Sequence, residues 1–333
     1  MRNPNIEILR VFLMLSIVFD HCAAQGYFAD NLFAYGLATA TTYSVDTFVF
    51  ISGWYAIRFS LKKMLRFLVL GGFCSFLLLL ASKPALGHWQ YSFRLGWFGN
   101  AYLGLMILAP FVNAGVEKLS RKELLTVWGA CAALMVGMWL PFREFGINIV
   151  PTGWGPQTVG NMLFVYLTGR VASTSDWVRS RSLRFWCGAT VLSWLMMLTM
   201  VCGVHFLRVR GCVSEAFLNV DGSSYASPLI VICATSLFMT FTKVRFPQFL
   251  GRVCLYLGPS MFSVYLLHAG CHKVVAATLI SRFEATLNSV LIPGPIGIVL
   301  NLVITAVVVF VVCVGIDLLR RTSVALLLRG LGK

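Results

Sequence analysis

Glu7, Arg10, Asp20 and His21 lie in or beside one apolar run, IEILRVFLMLSIVFDHCAA. Charged groups in an apolar span are costly and point to function. Arg10 and His21 are eleven residues apart. On an α-helix that is three turns plus about 20°, with a rise of roughly 16 Å. Both side chains therefore share one helix face at two heights. The guanidinium can hold an anion such as a phosphate. The imidazole can take or give a proton. Each has a plainer reading. Arg10 can snorkel to lipid phosphates, and His21 can be a satisfied interhelical histidine. Asp20 sits about 100° around the helix from His21, so it is not expected to pair with that ring.

Further candidates follow along the chain. Asp46, in SVDTFVFISGWYAIRFS, is a carboxylate in an apolar segment and needs a partner. It can be a structural hydrogen-bond acceptor, or it can orient His21 and stabilise its imidazolium form. Ser52-Gly53 suits close helix approach. Lys62, Lys63 and Arg66 form a basic run. It fits an ordinary cytoplasmic loop or a phosphate-bearing ligand such as coenzyme A. Trp97, Asn100 and Tyr102 form one group of aromatic and polar residues, with Trp154, Gln157 and Asn161 a second and Tyr225 and Ser227 a third. Each can be an interfacial aromatic belt; together they suggest a polar pocket for a sugar. Tyr265 and His268 lie in SMFSVYLLHAG. His268 can bond a neighbouring helix or belong to the site.

The elements that must position these residues are membrane helices. Of 333 residues, 58% are hydrophobic and only 12% charged, and the mean hydropathy is +0.82. A soluble domain of this size cannot hide so much apolar surface. The hydropathy pattern predicts ten spans, at about 6–27, 39–58, 64–82, 97–116, 124–141, 154–172, 183–204, 225–242, 253–272 and 297–319. Twenty of the 27 Lys and Arg then fall on one side with both termini, which is the cytoplasmic side. The net charge of +15 is thus mostly topological, and a nucleic-acid partner is not expected. Arg10 faces inward and His21 outward, with Asp46 at a depth similar to His21. The expected fold is all-α: a polytopic membrane helical bundle of about ten transmembrane helices with both termini cytoplasmic, and residues 1–333 form a single domain. The ten Cys show no CxxC and no metal-like spacing with His, so no metal is expected. No cleavable signal peptide is evident.

Five segments, in order, resemble the acyltransferase-3 family of integral-membrane acyltransferases, which includes O-acetyltransferases of bacterial surface polysaccharides. NIEILRVFLMLSIVFDHC resembles the family's opening helix, with its Arg-x10-His pattern at Arg10 and His21. VDTFVFISGWY, WFGNAYLGLMILAPFVN, MLFVYLTGR and FSVYLLHA resemble later segments. Two positions depart from the pattern. Asp20 precedes His21 where an apolar or aromatic residue is more usual. Lys63-x-x-Arg66 stands where relatives have Arg-x-x-Arg, and an ammonium lacks the bidentate fork of a guanidinium.

The resemblance implies transfer of an acyl group, acetyl from acetyl-CoA, to a hydroxyl of a cell-surface glycan or its lipid-linked precursor, in the bacterial cytoplasmic (inner) membrane. Arg10, Lys63 and Arg66 are then the donor-binding residues, and His21 with Asp46 the catalytic ones. Trp97, Asn100, Trp154, Gln157, Asn161, Tyr225 and His268 are candidates for the acceptor. Direct transfer with His21 as general base and transfer through an acyl-histidine both remain open. So do a glycan-precursor transporter or flippase, a non-catalytic envelope-assembly protein, and a homo-oligomeric state.

Overall fold

The structure, a computed structural model, describes residues 2–25, 32–86, 95–139, 156–212, 224–274 and 295–331, and no strand occurs among them. The helices are α1 (Pro4–Gln25), α2 (Leu32–Thr39), α3 (Tyr43–Trp54), α4 (Leu61–Leu86), α5 (Gly96–Lys118), α6 (Arg121–Trp139) and α7 (Val159–Thr174). They continue with α8 (Asp176–Ser180), α9 (Leu183–Val209), α10 (Pro228–Lys243), α11 (Gln248–Leu257), a 3-10 turn (Gly258–Ser260), α12 (Met261–Val274) and α13 (Pro295–Leu331). Five stretches are long and apolar enough to cross a membrane: Leu61–Ser82, Gly96–Lys118, Leu183–Leu207, Gln248–His268 and Pro295–Leu326. Along their middles the outward residues are largely apolar, as at Val69 and Phe111, with exposed charges such as Lys62, Lys63, Lys118 and Arg184 toward their ends, while Glu7, Asp46, Asn161, His268 and Asp317 are buried. Apolar outside and polar inside is the arrangement lipid demands.

The chain divides into two compact units, each assembled from separated segments. Unit 1 holds residues 1–38, 65–96 and 246–333; unit 2 holds 39–64 and 97–245. In unit 1, α1 packs on α11, α12 and α13. Its buried stripe Ile6, Leu9, Leu13 and Ile17 has the three-to-four-residue spacing of one helix face. In unit 2, α3 packs on α7 and α10, α10 on α9, and α6 on α7.

Each of the ten predicted spans overlaps a helix, but only five stretches among the described residues are long and apolar enough to cross; the ninth, 253–272, is divided among α11, the 3-10 turn and α12, and three others lie on short helices. Helix α3 has 12 residues, and α7 and α10 have 16 each. At 1.5 Å per residue these reach about 18 to 24 Å, less than a hydrocarbon core of about 30 Å. The prediction of 39–58 overshoots because Tyr55, Ala56 and Ile57 continue the apolar pattern past the helix end. The backbone turns there regardless. Ala56 takes φ 53°, a left-handed conformation that a Cβ disfavours. The next residue, Ile57, has both backbone groups captured. Its N–H donates to Tyr166 Oη at 2.9 Å, and its C=O accepts from Asn113 Nδ2 at 2.9 Å. Tyr166 in turn donates to Asn113 Oδ1 at 2.8 Å. Side chains from α5 and α7 therefore end α3.

The α3–α7 contact is backbone against backbone. A Cβ on Gly53 would overlap the carbonyl oxygen of Tyr166, and one on Gly169 would overlap the carbonyl oxygen of Phe50. The reading of Ser52-Gly53 as a close-approach pair holds at Gly53. Ser52 itself returns a hydrogen bond to the Phe48 carbonyl and meets Tyr102 Oη at 3.2 Å.

Gly53→Leu or Gly169→Leu should force the two helices apart, at a cost of about 1–3 kcal/mol or more from overpacking. Thermal unfolding in detergent checks this; an unchanged midpoint contradicts the backbone contact. Ala56→Gly should stabilise by about 1 kcal/mol, because glycine accepts the left-handed conformation freely. The same melt measures it.

Candidate functional site

The end of unit 1 that carries the α11–α12 turn is rich in charge. Glu7 is buried, and its Oε1 accepts from Arg10 Nη1 at 3.3 Å. Arg2 Nη1 lies 4.0 Å from the same oxygen. The other carboxylate oxygen, Oε2, presses against Gly258, where any Cβ would overlap it. Glycine is needed there so that the turn can close over a carboxylate. Arg10 remains one-third exposed, at 34%, so its guanidinium can still reach an anion.

Two further arginines lie on α13, and one of them meets the same turn. Arg321 Nη1 donates to Ser260 Oγ at 3.2 Å. Arg320 donates twice to Asp317 Oδ1, from Nε at 2.9 Å and Nη2 at 2.7 Å. Ser263 Oγ donates to that oxygen at 2.6 Å. Of the residues expected to hold the donor, Arg66 and Lys63 are exposed on α4. Arg66 precedes Phe67, whose ring stacks on Phe262 of α12 with centroids 4.1 Å apart.

Sequence reasoning missed Asp317, Arg320 and Arg321 as a group. The two arginines were absorbed into the count of cytoplasmic charge. The signal was there at Asp317, a carboxylate in the apolar run FVVCVGIDLL, and such a residue needs a partner.

Farther along α1 lies His21, part-exposed. Its Nδ1 is 2.6 Å from His268 Nε2, and the two rings meet edge to edge, with centroids 4.9 Å apart and planes inclined by 29°. His268 is buried, and its Nδ1 lies 2.9 Å from the Val264 carbonyl oxygen. The ring of Tyr265 stands edge-on to it at 5.8 Å. His268 therefore bonds a neighbouring helix, and the residue it bonds is His21. An imidazole pair of this kind can orient a base and share the positive charge that forms when the base is protonated.

Asp46 belongs to unit 2. It is buried, and its Oδ2 has no hydrogen-bond partner among the described residues. Its surroundings follow from the directions of the helices. On α9, Thr190 meets Thr240 of α10 at 3.4 Å, and Ser193 bonds Cys233 of α10. Those two helices are antiparallel. Trp194 of α9 donates to the Ala40 carbonyl, and Phe238 of α10 packs on Phe50 and Trp54 of α3. Helices α3 and α10 therefore run the same way. Tyr102 beside Ser52 and Asn113 beside Ile57 give α5 that direction too. Lys243, ending α10, donates to the Arg179 carbonyl, and the Arg179 guanidinium lies over Trp54. That places the α7 C-terminus at the C-terminal ends of α3 and α10.

The N-termini of α3, α5, α7 and α10 consequently share one end of unit 2. Trp97 and Tyr225 meet there, ring centroids 5.0 Å apart. Buried at this end are Ser44 Oγ, Asp46 Oδ2, Asn161 Oδ1 and Ser227 Oγ, each without a hydrogen-bond partner among the described residues. All four oxygens can accept hydrogen bonds, and leaving such atoms unpaired costs about 1–3 kcal/mol each. O–H and N–H groups of a polar ligand would satisfy them. Asn100 and Gln157 are exposed near the starts of α5 and α7. Trp154 lies outside the described residues.

No curated protein and no solved structure matches the chain. One family does match, described as an acyltransferase domain, over residues 3–318. That match covers nearly the whole chain, and with it both the Arg10–His21 helix and the His268 helix. The chain belongs to the acyltransferase-3 family and is an integral-membrane acyltransferase.

Proposed function

We propose that this acyltransferase moves acetyl from acetyl-CoA to a hydroxyl of a cell-surface glycan or its lipid-linked precursor, in the bacterial cytoplasmic membrane. The observation that carries the reading is on α1. A part-exposed Arg10 and a part-exposed His21 lie on one helix face, roughly 16 Å apart along the axis. That span is comparable to the reach of a pantetheine arm. Phosphates held at Arg10, with Arg66 and Lys63 from α4, leave the thioester near His21.

Neutral His21 then acts as general base. It takes the proton of the acceptor hydroxyl while that oxygen attacks the thioester carbonyl. The carbon–sulfur bond breaks, and the proton passes to the departing thiolate, giving free coenzyme A and an acetyl ester. In unit 2, Asp46, expected with His21 in the catalytic set, and Asn161 have unsatisfied oxygens of the kind that suit sugar hydroxyls. The Trp97–Tyr225 pair supplies an apolar face of the kind on which sugar rings stack. Asn100, Trp154 and Gln157 complete the proposed acceptor set.

His21→Ala in membranes that hold normal amounts of the protein should lower acetyl transfer from labelled acetyl-CoA about 10²–10⁴-fold, the usual worth of a general base. Retained activity removes the assignment. Arg10→Ala should raise KM for acetyl-CoA about tenfold or more with little change in kcat, as loss of uniform binding does. An unchanged KM takes Arg10 out of the donor site. Mass spectrometry of surface glycans with and without the protein tests the acceptor class, the expected difference being one acetyl unit on the modified sugar.

A further inference from the structure

We propose that His268 is a positioning residue that decides which nitrogen of His21 is the base. The inference rests on the reading of His21 as a general base and adds the atom that does the work. It begins at the Val264 carbonyl oxygen, which can only accept a hydrogen bond. His268 Nδ1 faces it at 2.9 Å, so Nδ1 carries the ring proton. A neutral imidazole with its proton on Nδ1 has its lone pair on Nε2. That lone pair faces His21 Nδ1 at 2.6 Å, so His21 Nδ1 is the donor. The lone pair of neutral His21 is therefore on Nε2.

The opposite direction fails at the start of the chain. It would set a lone pair on His268 Nδ1 against the lone pairs of the Val264 oxygen. A doubly protonated His268 would place an ion at a residue only 1% exposed, a costly burial. The chain Val264 carbonyl, His268, His21 thus has one self-consistent proton arrangement, and it leaves Nε2 as the basic atom.

The surroundings hold this arrangement in place. His268 is one turn from Val264 on α12, so its acceptor moves with it. The Tyr265 ring beside it and the hydrogen bond to His21 limit ring rotation. Helix α12 is itself fixed in rotation by Ser263 on Asp317 and by Phe262 on Phe67. The titratable and charged groups on the elements that meet α12 include, among the described residues, Glu7, Arg10, Asp20, His21 and Cys22 on α1, Lys62, Lys63, Arg66 and Cys74 on α4, Arg252, Cys254 and Tyr256 on α11, and Cys313, Asp317, Arg320 and Arg321 on α13. Glu7 is engaged by Arg10, and Asp317 by Arg320 and Ser263.

During transfer the acceptor hydroxyl gives its proton to His21 Nε2. The imidazolium so formed is stabilised through Nδ1–H by the lone pair of His268. The proton then leaves from Nε2 to the thiolate of coenzyme A, and His268 is unchanged at the end. This is the role a buried carboxylate plays behind a catalytic histidine, filled here by a second neutral imidazole.

The test has a spectroscopic and a kinetic arm. Full-length protein labelled with ¹⁵N-histidine in lipid bilayers reports the tautomer directly, with the His21 signals assigned by their loss in His21→Gln. At neutral or higher pH, the expected result is a protonated Nδ1 and an unprotonated Nε2 on His21. A proton on Nε2 overturns the proposal, and this measurement needs no His268 variant to fold. In the kinetic arm, His268→Ala should lower kcat about 10–100-fold, as loss of a residue that orients a functional histidine does. KM for acetyl-CoA should stay nearly the same, and the pH at which kcat rises should shift. His268→Gln, whose Oε1 takes the place of Nε2, should recover most of the loss. Unchanged kcat and pH profile in His268→Ala overturn the proposal, as does a Gln variant no better than Ala. Activity surviving His21→Ala would sink the base assignment instead, and the tautomer measurement keeps the two failures distinguishable.

Discussion

Lipid offers no hydrogen bonds, and that constraint shapes every part of this protein. A polar side chain in an apolar helix must find its partner on another part of the protein. Glu7 finds Arg10, Asp317 finds Ser263 and Arg320, and His268 finds Val264 and His21. Two of these contacts, Asp317 with Ser263 and His268 with His21, join two helices and so set their rotation and height. His21, the proposed base, is also one half of a contact that holds two helices together.

The two compact units join their helices differently. In unit 1 one oxygen of each buried carboxylate, Glu7 and Asp317, is engaged by arginine, and at Asp317 by Ser263 as well, while Glu7 Oε2 and Asp317 Oδ2 have no hydrogen-bond partner among the described residues. Unit 2 joins α3 to α7 by direct backbone contact at Gly53 and Gly169, and its unsatisfied oxygens at Ser44, Asp46, Asn161 and Ser227 gather at one end.

Much of this was legible in the sequence where the physics is local. The shared face of Arg10 and His21 follows from helix geometry alone. The small side of Ser52-Gly53 announced a close approach, and the apolar runs located a helix under every predicted span. What the sequence concealed was tertiary. His21 and His268 are 247 residues apart in the chain, and no spacing rule links them. The end of α3 is set by Tyr166 and Asn113 capturing the backbone of Ile57, so hydropathy carried the predicted span past it. Asp317 was visible as an intramembrane carboxylate, but the neighbouring arginines looked like topology signals and hid it.

Helix α1 meets the segment of the 3-10 turn and α12 at two points, Glu7 against Gly258 of the turn and His21 at His268 of α12. Along α1 these are fourteen residues, or about 21 Å, apart. A slip of one helix by a single turn, about 5.4 Å, would part both contacts at once, driving the Glu7 carboxylate off the residue that lacks a Cβ and leaving the His268 imidazole without His21. The pair of helices is therefore keyed like a lock with two wards. During insertion only one alignment lets both close, so a misassembled α1–α12 pair carries its own penalty and has reason to come apart and try again.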